Sequence, residues 1–393
     1  MFVWTPWMES FKFVADAKIV ETDLEVVYAP LSDVKKRLKI DWYRTPIDST
    51  KLKSLVRRRD IRGWRQALGY LVLIAVTGGI TYYLFEQRAW LAGAAALFVH
   101  GTIYSFIPGL ATHELSHGTV FKTRWLNGFF LRLYSLLAWV NFHHYKRSHT
   151  YHHQYTLHPE ADREVVLPRD PALRALFVVS LFTFNIRALG ERIGRNFLAL
   201  AFLKHFREKG EWGAALYPES EVAARRQAVT WGRIVVLFHA VLIATSIVFS
   251  LWPLPLLITF GSFVGNWWRY FIGFTMHTGL RDNVPDFRKC CRTIALDPFS
   301  RFIYWHMNFH SEHHMYAAVP CYNLRRLCGE IAWDMPKPRT LMEAWKEMRE
   351  TARKQKDDPS YQFDTPVPRH SGLNRQYDNL ESSLGDLAPP GLK

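Results

Sequence analysis

Residues 89–112 form an apolar run without a charged side chain, and the run ends directly in His113-Glu-Leu-Ser-His117. Two histidines four positions apart on a helix lie on one face, where both can bind one metal ion. Taken alone, this H-E-x-x-H pattern is typical of zinc proteases, in which the glutamate is the general base. Its meaning here depends on what else the chain contains.

Two further histidine clusters follow the first, with a different spacing. They read HTYHH at residues 149–153 and HSEHH at residues 310–314. Zinc binds about four ligands, whereas the three clusters together supply eight imidazoles. A single octahedral iron accepts about six donors and needs an open position for oxygen. The clusters therefore predict a site with two metal ions.

The apolar residues are segregated into blocks, although the mean hydropathy of −0.11 resembles that of a soluble protein. Each block has the length of about 20 residues that a helix needs to cross a bilayer. Pro253 and Pro255 mark the turn between the last two blocks. The sequence predicts an all-α integral membrane protein whose four transmembrane helices form two hairpins, over residues 66–85, 89–112, 234–251 and 256–276.

Basic residues crowd into residues 51–65, just before the first predicted span. Such a run favours the cytoplasmic side of a membrane. With four spans, both termini and every histidine cluster then face the cytoplasm, and we expect the cytoplasmic membrane of a bacterium, with the endoplasmic reticulum as the alternative. The net charge of +15 is attributed to this orientation, so no nucleic acid is expected as a partner.

The chain divides into three predicted parts. Residues 1–65 are a cytosolic lead-in without a signal peptide, and residues 66–356 combine the spans with a cytosolic helical cap that holds the histidine-rich site. Residues 357–393, rich in Asp, Pro, Ser, Gly and Asn, are expected to be a disordered tail. The cysteines lack metal-site spacing and are expected to be reduced.

The three clusters resemble the histidine boxes of the membrane fatty acid desaturase and hydroxylase family, whose members are non-haem di-iron enzymes. Residues 159–162 (PEAD), after the second cluster, and residues 319–324 (VPCYNL), after the third, strengthen this similarity, which covers roughly residues 60–330. The resemblance implies two iron ions that activate O2 as co-substrate and remove hydrogen from an unactivated C–H bond. The metal ligands that it implies are His113, His117, His149, His152, His153, His277, His310, His313 and His314.

The resemblance leaves the outcome of the reaction open. The third box looks like that of desaturases, whereas the spacing around Glu114 and the stretch His277-Thr-Gly-Leu280 look like those of alkane hydroxylases. A smaller bacterial group, which includes rhizobitoxine desaturase and rhizopine oxygenase, acts on small polar molecules. We expect a desaturase of fatty acyl or lipid substrates, with an alkane or lipid hydroxylase (monooxygenase) or an oxidase of a polar metabolite as alternatives.

Acidic residues beside the clusters are candidates to accept a hydrogen bond from the second nitrogen of each imidazole. The candidates are Glu114, Glu160, Asp162, Asp282 and Glu312. His100, inside the second span, is expected to be a neutral imidazole bonded to a neighbouring helix. The other histidines near the clusters are expected to have structural roles; they are His143, His144, His158 and His306.

No flavin, nicotinamide or cytochrome module is recognisable in the sequence, so electrons must come from a separate donor of the ferredoxin, rubredoxin or cytochrome b5 type. The basic inner face could dock such an acidic donor or contact anionic lipid. Two rival functions remain. A zinc protease would bind one zinc and lose activity on Glu114→Gln but not on His313→Ala. A membrane scaffold or metal transporter would have ligands lining the spans.

Overall fold

The computed structural model describes residues 31–162, 164–165, 175–201, 213 and 215–368. Throughout these residues the regular structure is helical, and β pairing is limited to isolated bridges such as that between Tyr43 and Asp286. The predicted all-α class is therefore confirmed for the described chain. Residues 1–30 of the predicted lead-in and 369–393 of the predicted tail, the latter with His370, lie outside it, and so does His205.

Three helices are long and apolar enough to cross a membrane, and they coincide with the first three predicted spans. They cover Asp60–Glu86, Trp90–Ser116 and Val222–Val248. We call the first α1 (Asp60–Glu86) and the regular part of the second α2 (Trp90–Tyr104). Large apolar side chains remain exposed along α1, among them Val72, Val76 and Ile80, as expected for a lipid-facing surface.

The second span is broken before its histidines. After α2 the chain makes a π-type turn over Ile107–Ala111, in which Pro108 has ψ 124° and Gly109 has φ +86°. Thr112 caps this break, because its hydroxyl accepts from the Gly109 amide at 3.1 Å and donates to the Ile107 carbonyl. A new helix, α3 (Thr112–Ser116), then carries the first histidine cluster in a changed direction.

The fourth predicted span, residues 256–276, is not one continuous helix. It contains the short helices Pro255–Thr259, Gly261–Phe263 and Trp267–Gly273. The break occurs because the Phe263 carbonyl and the Gly265 amide bond to residues 183–185 instead of to a helical neighbour. Within the described residues the fourth predicted span is therefore an interrupted segment, and the arrangement of four spans in two hairpins stays a prediction.

The remaining helices flank the long ones or build the part that follows them. The helix α4 (Arg124–Leu137) leads into α5 (Phe142–Tyr155), which carries the second cluster, and α6 (His310–Met315) carries the third. The other helices are Leu31–Arg37, Ser49–Leu55, Ala175–Phe182, Ile186–Ala201, Phe287–Cys290, Pro298–Ile303, Cys321–Asn323, Leu324–Ile331 and Leu341–Lys354.

Both ends of the described chain pack onto the histidine-bearing part. Near the start, the Tyr43 and Thr45 hydroxyls each donate to Asp334 at 2.7 Å. Near the end, the Phe363 amide donates to the Gly279 carbonyl. The chain therefore keeps specific contacts as far as Asp364, which pairs with Arg281 and Lys289, beyond the start predicted for the disordered tail at residue 357.

Candidate metal centre

The structure brings all nine histidines of the expected ligand set into two adjoining groups, and within each group the candidate donor atoms lie within 4.8 Å of one another. We call them group A and group B. Group A contains His113, His117, His149, His153 and His313, and group B contains His152, His277, His310 and His314.

Helical geometry explains how each H-x-x-H-H cluster serves both groups. On α5, His149 and His153 are four positions apart and share a face, whereas His152 points about 100° away from His153. The first two therefore belong to group A and His152 belongs to group B. The third cluster does the reverse, since His310 and His314 lie in group B and His313 in group A.

The ring nitrogens approach one another closely inside each group. In group A, Nε2 of His313 lies 2.9 Å from Nε2 of His113 and 3.2 Å from Nε2 of His153. In group B, Nε2 of His310 lies 2.8 Å from Nε2 of His277. A neutral imidazole has one donor and one acceptor nitrogen, so rings whose Nδ1 carries the proton present only lone pairs at Nε2, and a cation between such lone pairs would satisfy them.

The unmet hydrogen-bonding capacity of the site fits metal binding. The buried Nε2 atoms of His117, His149 and His314 have no hydrogen-bond partner within the described residues. Burying a polar atom without a partner costs free energy, unless a bound group such as a metal ion satisfies it. An all-imidazole donor set suits iron among the transition metals, so the residues present fit two iron ions.

In several rings Nδ1 makes a hydrogen bond that orients Nε2 toward the other donor atoms of its group. Nδ1 of His149 contacts Glu164 at 3.0 Å, and Nδ1 of His152 contacts Asp162 at 2.8 Å. In group B, Nδ1 of His277 bonds the Cys290 carbonyl at 2.8 Å. An N–H donated from Nδ1 leaves the lone pair on Nε2.

The five acidic candidates from the sequence differ in position. Asp162 contacts His152, and the Glu114 carboxylate lies 3.4 Å from Nδ1 of His313 without hydrogen-bond geometry. The structure places the other three away from the imidazoles. Glu312 accepts from Thr293, Glu160 pairs with Arg37 at the surface, and the Asp282 carboxylate accepts from the side-chain amide of Asn283 at 3.3 Å.

Glu164 is the partner that sequence reasoning missed. It lies two positions after Asp162, and its second carboxylate oxygen accepts from the Ser148 hydroxyl at 3.2 Å. A search for acids over the whole segment after the second cluster would have included it. Thr156 was also missed, although its hydroxyl contacts Nδ1 of His314 at 3.1 Å.

Burial keeps most of these imidazoles uncharged. Desolvation, with the nearby His152 as a smaller cause, lowers the pKa of His277 to about 3, and the pKa of His314 is also well below its usual value. His152 differs, because Asp162 outweighs burial and raises its pKa. Burial opposes ionisation of Glu164 too, but the interaction with His149 dominates and its pKa is lowered.

The histidines expected to be structural lie outside both groups. His100 bonds Thr77 and the Leu257 carbonyl, in agreement with its predicted role as a link between helices. His143 stacks on Phe142, and His158 bonds the Thr156 carbonyl. The rest of this set are His144, which stacks on Tyr217, and His306, whose pKa burial lowers to about 4.

Comparisons with known proteins agree with this geometry. A family model described as fatty acid desaturase matches residues 88–345, which include all nine histidines of the two groups. An omega-3 fatty acid desaturase, chloroplastic, from Ricinus communis is 24% identical to the chain over 279 residues. That alignment covers 66% of this chain and 58% of the relative, so the chain spans little more than half of the relative's length.

Proposed function

The chain belongs to the fatty acid desaturase family, and from this premise we propose that it is an O2-dependent membrane oxidoreductase with two non-haem iron ions. Its proposed reaction is the desaturation of a fatty acyl or other lipid substrate. The single observation that supports this most directly is the division of nine histidines into two groups. One metal would need only about six donors.

The proposed ligands of one iron are those of group A, and the proposed ligands of the other are those of group B. When bound, the irons supply the means to activate dioxygen and to break an unactivated C–H bond. The protein's own residues orient the donors: Glu164 holds His149 and Asp162 holds His152. Burial of His310, His313 and His314 keeps bulk water away from the donor atoms.

The proposed reaction balances with an external reductant. In a desaturation, two C–H bonds on neighbouring carbons break and a C=C bond forms. Dioxygen takes up these two hydrogens together with two electrons and two protons, and it leaves as two waters. The electrons come from a separate donor protein of the ferredoxin, rubredoxin or cytochrome b5 type. A rate of electron transfer that does not change with salt would contradict docking of this donor through basic residues.

A hydroxylase is the second candidate. With two electrons and two protons from the same external donor system, the centre would instead yield an alcohol and one water, because one oxygen atom of O2 enters the C–H bond and the other leaves as water. The Glu114 spacing in the first cluster and the inclusion of His277 in group B favour this alternative. An acyl chain and a small polar metabolite both remain substrates to be tested.

Metal content and product mass test the proposal together. The full chain is expressed in a host with a competent electron donor, and lipids and small metabolites are analysed by mass spectrometry. We expect about two irons per purified chain. A product two mass units lighter than its substrate indicates desaturation, and one sixteen units heavier indicates hydroxylation.

Alanine variants connect the metal to the two groups. His152→Ala and His313→Ala remove one member of each group, and we expect both to lower the iron content and abolish turnover while membrane insertion persists. His143→Gln is the matched control, because His143 lies outside both groups and should keep wild-type iron content. One zinc per chain, with activity that survives His313→Ala, would instead support the protease alternative.

A further inference from the structure

A groove of about 700 Å³ opens beside the start of α1. One wall consists of the residues just before α1 and the first turn of that helix, where Val56 and Ile61 are its apolar members. The other wall is the stretch that leads into α4. The remaining lining residues are all cationic, and they are Arg57, Arg58, Arg59, Lys122 and Arg124. The groove therefore concentrates positive charge between two helix starts.

The protein itself does not neutralise this charge. Across residues 31–162, 164–165, 175–201, 213 and 215–368, none of the five cationic side chains forms an ion pair with an acid. The acid beside the groove is Asp60, whose carboxylate accepts from the Thr123 amide at 2.9 Å and from the Thr123 hydroxyl at 2.8 Å. One carboxylate offsets at most one of the five charges, so the groove keeps a net positive charge.

Contacts within the protein hold the two walls together. The bonds between Asp60 and Thr123 join the start of α1 to the residue before α4. One turn further along α1, Gly63 lies so close to Phe121 that an added Cβ would be 2.6 Å from its ring. The Arg59 amide donates to the Tyr322 hydroxyl at 2.9 Å, which fixes the backbone of the first wall. The groove is therefore formed by the fold itself.

Exposed apolar side chains beside the groove place it at the surface of the bilayer. Ile61 and Trp64 are exposed on the first two turns of α1, which is long and apolar enough to cross a membrane. On α4, Trp125 and Phe129 are exposed side by side, with ring centroids 6.2 Å apart. Tryptophan is enriched where membrane meets water. The groove therefore opens at the depth at which the phosphate groups of lipids lie.

We propose that this groove binds the phosphate group of an anionic phospholipid, whose acyl chains lie against the exposed apolar side chains of α1 and α4. None of the lining residues belongs to group A or group B, so the inference does not depend on the proposed reaction. Guanidinium groups match phosphate oxygens in a bidentate geometry, and basic residues at a membrane surface attract anionic lipid. The volume is that of a small-ligand site, whereas an acidic protein would need a contact surface of about 800 Å².

Lipid binding to the purified full-length protein in an uncharged detergent tests the inference without turnover. The probes are phosphatidylglycerol and phosphatidylcholine with the same fluorescent acyl chain. Both contain a phosphate, but the choline group adds a positive charge that the groove repels. We expect the wild-type protein to prefer phosphatidylglycerol about tenfold or more. The double variant Arg58→Gln, Arg124→Gln removes one cation from each wall and should weaken phosphatidylglycerol binding about tenfold or more, which removes the preference.

Two further double variants separate the groove from general positive charge. Arg226→Gln, Arg233→Gln is the matched control, because both arginines are exposed on the helix Val222–Val248 and precede the third predicted span. It removes the same charge beside another membrane helix and should keep the wild-type preference. Arg58→Lys, Arg124→Lys keeps the charge of the groove and should retain most of the affinity for phosphatidylglycerol. The thermal unfolding midpoint of each variant checks that the fold persists.

Several results would overturn the inference. A wild-type protein that binds both lipids equally, or a control variant that loses the preference as the groove variant does, would exclude a specific lipid site. Displacement of phosphatidylglycerol by inorganic phosphate would assign the groove to free phosphate. If the groove variant kept its lipid binding but no longer bound an acidic plant-type ferredoxin, the groove would belong to the electron donor. Failure of the proposed function is separate from these results, since it would appear as absence of iron and of any oxidised product.

Discussion

At the scale of single residues, the orientation of each imidazole depends on what its second nitrogen contacts. His149 and His152 both donate from Nδ1 to a carboxylate, whereas His277 donates to a backbone carbonyl. These bonds select the tautomer and restrict rotation of the ring. A side chain that never touches the metal can therefore determine how strongly the metal is held.

Removing these carboxylates should weaken iron binding. Glu164→Gln and Asp162→Asn keep the size of each side chain but remove the charge that faces His149 or His152. Loss of such a partner commonly lowers metal affinity about 10- to 100-fold. The measurement is the iron retained during titration with a chelator, compared between each variant and the wild type.

Glu160→Gln is the control for this prediction. Glu160 lies on the same segment, but its carboxylate pairs with Arg37 at the surface, 3.1 Å away, and is more than half exposed. The variant should retain iron as the wild type does. Equal loss from all three variants would mean that general negative charge, and not contact with an imidazole, controls affinity.

At the scale of elements, breaks in the membrane segments determine where the histidines point. The turn at Pro108 and Gly109 separates α2 from α3 and redirects the helix that carries His113. The segment 255–276 is broken in a related way, and it ends at His277. A continuous helix over either segment would present its ligand in another direction.

Gly109→Ala should disturb the first of these breaks. Gly109 has φ +86°, and no atom lies within 4 Å of the place that a Cβ would take, so backbone strain and not collision decides the outcome. A left-handed conformation costs an alanine about 1–2 kcal/mol. We expect a lower thermal unfolding midpoint and a lower iron content, because α3 changes its direction to relieve the strain.

Gly79→Ala is the comparison variant. A Cβ at Gly79 would also meet no atom within 4 Å, but this glycine lies inside α1. Alanine is favoured over glycine there, so unfolding midpoint and iron content should equal or exceed the wild-type values. The interpretation of the kink would be wrong if Gly109→Ala behaved like Gly79→Ala.

At the scale of the whole molecule, the site depends on elements far apart in the chain. Its histidines come from α3, α5, α6 and the turn after Gly273. If the spans cross the bilayer four times, as the sequence predicts, all of these elements emerge on the same side. An odd number of crossings between any two of them would separate the ligands by the thickness of the membrane.

Labelling with a membrane-impermeant maleimide tests this arrangement. Gln87→Cys lies in the turn after α1, and Lys346→Cys lies on the exposed face of the helix Leu341–Lys354. In intact cells we expect the maleimide to label Gln87→Cys and not Lys346→Cys. After lysis it should also label Lys346→Cys. The unsubstituted protein is the control for the native cysteines. Labelling of Lys346→Cys from outside would contradict the cytoplasmic location of the site.

The amino-acid sequence by itself determined the helical class, the first three spans and the eight clustered histidines, whereas His277 was named only through the resemblance to the desaturase and hydroxylase family. These features are local: an uncharged run of sufficient length predicts a span, and histidines at helical spacing predict a shared face. The spacing H-x-x-H-H also implied that adjacent rings diverge. It did not determine which ring joins which group, because that depends on the orientation of helices more than a hundred residues apart.

Only the tertiary structure decided the rest. The sequence predicted Glu160 as a partner of an imidazole and missed Glu164, but the path of the chain after α5 brings Glu164 to His149 and turns Glu160 to the surface. In the same way, the fourth segment is interrupted because its backbone groups bond residues 183–185. These contacts join residues distant in sequence, and packing determines such contacts whereas local periodicity does not.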